Sequence, residues 1–296
     1  MNRLYIIGNG FDLHLGIPSS YRHFATYLRA VDQETSQVIE EYFSADDFWS
    51  DLEAQLAAFD TDTLLDNADA FLVGYGAEDW SDSYHHDYQF EIDRVVRAVS
   101  ETLLARFAEW VRQLPMPPAA KVAEQPFEMD PTARYLTFNY TPTLQNLFAV
   151  PDRQVWHIHG AAAKIAEALL LGHAWRPTKR ETLSFGLDPE AADPRVIAGA
   201  RAIDQYFSAT FKPTGRILHD NAAWFEALAS LDEIWVMGHS LADVDLPYFA
   251  AIANHIDLER VAWKVSYHND QVGPRAQLES LGVPGHLASF QTLAEF

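Results

Sequence analysis

The chain has 296 residues, 48% of them hydrophobic, with a formal net charge of −21; a sizeable core is affordable, and the charge repels phosphate backbones and anionic membranes. It contains no cysteine, which excludes disulfides, thiol catalysis and Cys-type zinc sites. "MNRLYIIGNG" lacks a signal-peptide layout and no apolar run nears the roughly 20 residues of a membrane span, so a cytoplasmic protein without nucleic-acid or membrane partners is expected.

In chain order, "RLYIIG" is a short apolar run that the following glycines mark as a strand. From "SSYRHFATYLRA" to "FAEWVRQLP" the pattern is mainly helical. "FWSDLEAQLAAF" and "FEIDRVVRAVSETLLARFAEWVRQL" space their apolar residues three and four apart. "GYGAEDWSDSYHHDY" between them reads as a loop, and "PMPPAAKVAEQP" as a Pro-rich connector. Strands follow in "ARYLTFNYT", "RQVWHIHG" and "ALLLGHAW", then helices in "DPRVIAGARAIDQYF" and "NAAWFEALASL". The chain then alternates strand "EIWVMGHS", helix "DLPYFAAIANHI", strand "RVAWKVSYH", helix "PRAQLESLG" and a last strand in "ASFQTL". Strands separated by helices imply a parallel sheet covered on both faces. The expectation is a single α/β domain over 1–296: a doubly wound sheet with a mostly helical insertion, residues 20–115, after the first strand.

Three segments gather polar residues just past strand ends, where such sheets bind ligands. Gly8 and Gly10 form a turn through which backbone N–H groups can approach a phosphate. The dehydrogenase pattern G-x-G-x-x-G is incomplete, with Leu13 in its third position, and a tight turn without ligand is the competing reading. "LTFNYT" places Asn139 and Thr141 past a strand; "VWHIHG" places His157 and His159 past another, with Gly160 allowing close approach. H-x-H puts both rings on one strand face, which also allows a metal. With no carboxylate in the segment, no metal is expected.

"YIIGNGFDLHLGIPSSY", "FWSDLE", "LTFNYT", "VWHIHG", "LLLGHA" and "EIWVMGHSLADVDLPYF", in this order, resemble the bacteriophage abortive infection AbiH family over most of the chain. That family is in turn similar to sirtuin-like defence domains with a Rossmann-like NAD-binding fold. The resemblance implies phage defence and a sirtuin-like pocket that takes NAD or a related nucleotide as substrate or ligand. Gly8, Asn9, Gly10, Phe11 and Asp12 match the glycine-rich first turn of sirtuins. Asn139 matches the Asn near the nicotinamide ribose, with Thr141 beside it, and His159 matches the base of the His-Gly pair. Gly238, His239 and Ser240 match the late Gly-Ser turn on the adenosine side. The four-Cys zinc module of deacylating sirtuins is absent, so protein deacylation is not implied. A phage-derived trigger is a partner the resemblance suggests; a homo-oligomer is left open.

Chemically, His159 suits a base near neutral pH, and Asn139 can orient a water or ribose hydroxyl. Phe11 could stack on a ring. Asp12 could accept a ribose hydroxyl, stabilise positive charge, or cap the following helix. Glu53 in "FWSDLE" reads first as a surface or capping residue. Asp243 and Asp245 precede a helix, and capping is expected from at least one. Two rival functions remain. "GHSLA" approaches the nucleophile elbow G-x-S-x-G, with Ala242 at its last position; Ser240 would be the nucleophile, with Asp270 and His286 completing a triad. A non-catalytic nucleotide sensor could use the same pocket.

Overall fold

The computed structural model describes residues 2–44, 48–74, 76–77, 86–125, 127, 129–165, 169–174 and 182–296. The chain divides into two compact units. One comprises residues 1–20, 109–170 and 213–296, the other residues 21–108 and 171–212.

The first unit is built on a six-stranded sheet in which every paired strand is parallel. Its strands are β1 (Arg3–Ile7), β2 (Arg134–Thr137), β3 (Val155–His157), β4 (Glu233–Met237), β5 (Ala262–Ser266) and β6 (Ala288–Gln291). The order β3-β2-β1-β4-β5-β6 is that of the Rossmann fold, with its switch point between β1 and β4. Alternation along β1 builds both cores, because successive side chains point to opposite faces. Leu4 and Ile6 join Leu136, Val236, Trp263 and Val265 on one face. Tyr5 and Ile7 join Phe11, Tyr135 and Met237 on the other, where the Tyr5 and Tyr135 rings stack at 4.7 Å. The fold is thus α/β, Rossmann-like and doubly wound.

Two expected features differ. "ALLLGHAW" forms no strand among its described residues: His173 makes one isolated bridge, to Phe211. A run that is apolar enough for a strand still needs a ladder partner. The Pro-rich connector contains a short helix, Ala119–Ala123, with Pro118 at its N-cap, where a missing N–H costs nothing. Of the loop expected around residues 74–88, residues 75 and 78–85 lie outside the described ones.

The second unit is helical among its described residues. Asp87–Arg97 runs through a π-turn, Ala98–Thr102, into a helix that starts at Leu103. Acidic side chains set several helix starts: Asp32, Asp51, Asp60 and Asp193 each accept a backbone N–H in the first turn. Asp51 therefore takes the cap that the sequence left open to Glu53. Glu53 is instead buried. Its carboxylate meets Lys212 Nζ at 2.5 Å and accepts from the Tyr21 hydroxyl at 3.3 Å. The surface-or-cap reading of Glu53 is thus corrected: Lys212, itself fully buried, supplies the opposite charge that makes its burial tolerable.

Candidate functional site

Asp12 lies in the helix Asn9–His14 that leaves β1; Gly8 holds the N-cap position, so Asp12 is not the cap. Its side chain is fully buried. Thr141 Oγ1 donates to Asp12 Oδ2 at 2.5 Å, and Thr143 Oγ1 donates to Thr141 at 3.0 Å. Burial pushes the Asp12 carboxyl up to about 6, against the opposing pull of Thr141, Thr143 and Asn139. Asp12 Oδ1 and both polar atoms of the Asn139 amide are buried without a conventional hydrogen bond; the influence of Asn139 on Asp12 is a looser polar contact. Three such atoms in one neighbourhood are expensive unless something else bonds them.

The raised carboxyl has a measurable consequence. Its stabilising contribution is fully present below the ordinary carboxylate range, near 3.8, and is lost as pH rises through about 6. The shift corresponds to about 3 kcal/mol. Asp12→Asn keeps an acceptor for Thr141 and removes the buried charge. Urea unfolding should show it more stable than wild type by about 1–3 kcal/mol at pH 7, with the gap closing by about pH 4. A gap independent of pH would show that Asp12 carries no buried charge.

A second polar group lies past the ends of β2, β3 and β4. Backbone bonds extend the sheet there: Phe138 N donates to Ile7 O and Ile158 N to Thr137 O. His159 and His239 are both buried, and Asp245 stands between them. Asp245 Oδ1 is 3.8 Å from His159 Nε2, and Asp245 Oδ2 is 3.4 Å from His239 Nε2. The Phe138 ring meets both imidazoles edge-on, at 5.4 Å from His159 and 4.3 Å from His239. Tyr140 and Tyr248 also approach His159, at 6.3 and 5.8 Å. Apolar walls strengthen the pull of the carboxylate on both rings.

Asn139 sits between Phe138 and Tyr140. Its carbonyl oxygen is 2.9 Å from His157 Nδ1, and His157 Nε2 is 3.0 Å from the Gln145 amide. The two histidines of H-x-H thus have different surroundings, because β3 ends at His157 and the chain turns before His159. Among the described residues no three His, Asp or Glu side chains are grouped to hold a metal ion.

The two glycine turns lie against each other. Gly10 N–H donates to Gly238 O at 2.8 Å, and Gly8 N–H donates to Met237 O at 3.0 Å. A Cβ on Gly238 would stand 2.0 Å from Phe11 N, and Gly238 has φ +68°. The glycines therefore permit backbone contact across the switch point, and these two N–H groups are already used within the chain. Asn9 turns its amide to Ser19 O, at 3.1 Å. The Phe11 ring packs against Phe127 and Phe148 in the core.

Ser240 is exposed. The left-handed residues of its turn are Gly238 and Leu241 rather than the serine, unlike a strained nucleophile elbow. Among the described residues no hydrogen bond joins Ser240 to a histidine, and Asp270 Oδ1 accepts Val272 N–H. The expected capping is corrected too: Asp245 holds the N-cap position of Leu246–His255 but makes no capping bond, and Asp243 bonds Gln277 at 3.2 Å. Asp245 as the neighbour of two rings was missed in the sequence, where an acid before a helix reads as a cap.

Fold and site together define a Rossmann-like α/β protein with buried polar groups at the carboxyl edge of its sheet. The sequence matches the family described as bacteriophage abortive infection AbiH over residues 4–267, and the chain belongs to that family. The family supports a role in abortive-infection defence against phage. No curated protein and no solved structure gives a significant match. Among the described residues no helix is long and apolar enough to cross a membrane.

Proposed function

We propose that this AbiH protein binds NAD, or a closely related nucleotide, at the carboxyl edge of its sheet and hydrolyses the nicotinamide–ribose bond once a phage-derived signal activates it. The observation that carries the reading is the set of buried polar atoms that make no conventional hydrogen bond, Asp12 Oδ1 and the Asn139 amide. A ribose offers hydroxyls that both donate and accept, and so suits a carboxylate and an amide together. The sirtuin resemblance of Asn139 and His159 gives the reading its reaction.

In that reaction the bond from the ribose anomeric carbon to the nicotinamide nitrogen breaks, and its electron pair leaves with neutral nicotinamide. Water adds to the oxocarbenium-like carbon, His159 takes the released proton, and ADP-ribose remains. Asn139 orients the water or a ribose hydroxyl, and ionised Asp12 accepts a hydroxyl and opposes the developing positive charge. Since Gly8 and Gly10 N–H groups are used within the chain, the diphosphate is held elsewhere on this edge.

The direct test is a structure of the protein with ADP-ribose. A ribose hydroxyl within about 3.2 Å of Asp12 or Asn139 supports the reading. Ordered water alone at those atoms, with ADP-ribose absent or bound away from them, refutes it.

A further inference from the structure

We propose that His157 is a positioning residue: through its Nδ1–H it fixes the main chain of Asn139 and so aims the Asn139 amide. This deepens, and rests on, the reading of Asn139 as the residue that orients the ribose or its attacking water.

Thr137 and His157 are partners across β2 and β3. That one rung of the sheet holds both main-chain groups of Asn139. Asn139 N–H donates to Thr137 Oγ1 at 3.1 Å, and Asn139 O lies 2.9 Å from His157 Nδ1. A carbonyl oxygen only accepts, so the proton of the second bond belongs to Nδ1. The other ring nitrogen, Nε2, is 3.0 Å from the Gln145 amide nitrogen. Gln145 lies on the helix Thr143–Phe148. The ring therefore ties Asn139 to the helix that follows it.

The Asn139 side chain has no such tie. Both polar atoms of its amide are buried without a conventional hydrogen bond, so hydrogen bonds fix its direction only through the backbone. A group that meets a ligand is well held in this way, supported from behind with its own donor and acceptor left for the ligand. The first histidine of H-x-H thereby has a role distinct from that of His159.

Side-chain geometry supplies the test. In His157→Asn the amide nitrogen can take the place of Nδ1 and keep the bond to Asn139 O. In His157→Gln the amide stands one methylene further out, at the level of Nε2. His157→Leu keeps much of the bulk and loses the donor.

Nitrogen-15 NMR of the full chain at neutral pH reads the His157 ring and the Asn139 side-chain amide, assigned by their loss in His157→Asn and Asn139→Ala. ADP-ribose affinity is measured by calorimetry on the same proteins. Wild type should show Nδ1 of His157 protonated. The Asn139 amide signal should move in His157→Leu and His157→Gln, and return towards its wild-type position in His157→Asn. Affinity should fall by about 3–10-fold in the Leu and Gln variants and recover in the Asn variant. It should fall no further when His157→Leu is added to Asn139→Ala, because the two residues act as a unit. A wild-type His157 with bare Nδ1 overturns the proposal, whether or not the variants fold. So does a His157→Leu protein that resembles wild type more closely than His157→Asn, the order expected of a ring that only fills space. Additive losses in the double variant overturn it as well. Ring and amide signals in the expected order, in a protein that does not bind ADP-ribose, support the positioning role and refute the NAD reading.

Discussion

His159→Ala should lower NAD turnover by about 10²–10⁴-fold while leaving ADP-ribose affinity nearly unchanged. In the proposed reaction the alanine removes the proton acceptor. The buried atoms assigned to the ribose, on Asp12 and Asn139, belong to other residues and other strand ends. The imidazole is buried among Phe138, Tyr140 and Tyr248, so its loss also opens a gap. His159→Gln, closer in volume, separates the two effects: it should be as inactive as alanine but more stable. Equal turnover in both variants and wild type would remove His159 from the chemistry. A parallel loss of affinity and turnover would make it a binding residue.

Lys212→Met should destabilise the protein by about 3–5 kcal/mol, because it leaves Glu53 charged and buried without its counter-ion. Lys212 Nζ is 2.5 Å from Glu53, and the lysine side chain has no exposed surface. The Tyr21 hydroxyl, which donates to Glu53 at 3.3 Å, is a neutral donor and cannot replace the ammonium charge. Glu53→Gln should cost a similar amount by stranding the ammonium. The double variant Glu53→Gln/Lys212→Met should recover most of the loss, since burying two neutral groups avoids both penalties. Denaturant titration of all four proteins gives the coupling. Additive costs with no recovery would show that the pair does not act as a unit.

The frame of the fold was legible because its signals are local. Strand β1 announces itself by four apolar residues and two glycines, and the strand–helix alternation after residue 230 gives the parallel sheet. Asn139, Thr141 and His159 were legible as candidates because polar residues just past apolar runs are placed on one edge of such a sheet. What was hidden depends on distant partners. The use of Gly8 and Gly10 depends on Gly238, a second turn that arrives more than two hundred residues later. Asp245 sits where an acid would cap a helix, and only the fold shows two imidazoles beside its carboxylate. Glu53 belongs to an amphipathic pattern that predicts a solvated face, and nothing near it in sequence points to Lys212. "ALLLGHAW" carries the apolar content of a strand, but among its described residues the ladder that would make it one is not formed.

The central claim is that the polar edge built from Asp12, Asn139 and His159 destroys NAD during infection. The measurement that tests it most directly is cellular NAD through a phage challenge, in cells expressing wild type or folded Asn139→Ala. NAD should collapse in wild-type cells before phage burst, and should stay level in the variant with protection lost. NAD that stays level in wild-type cells while protection is intact contradicts the account.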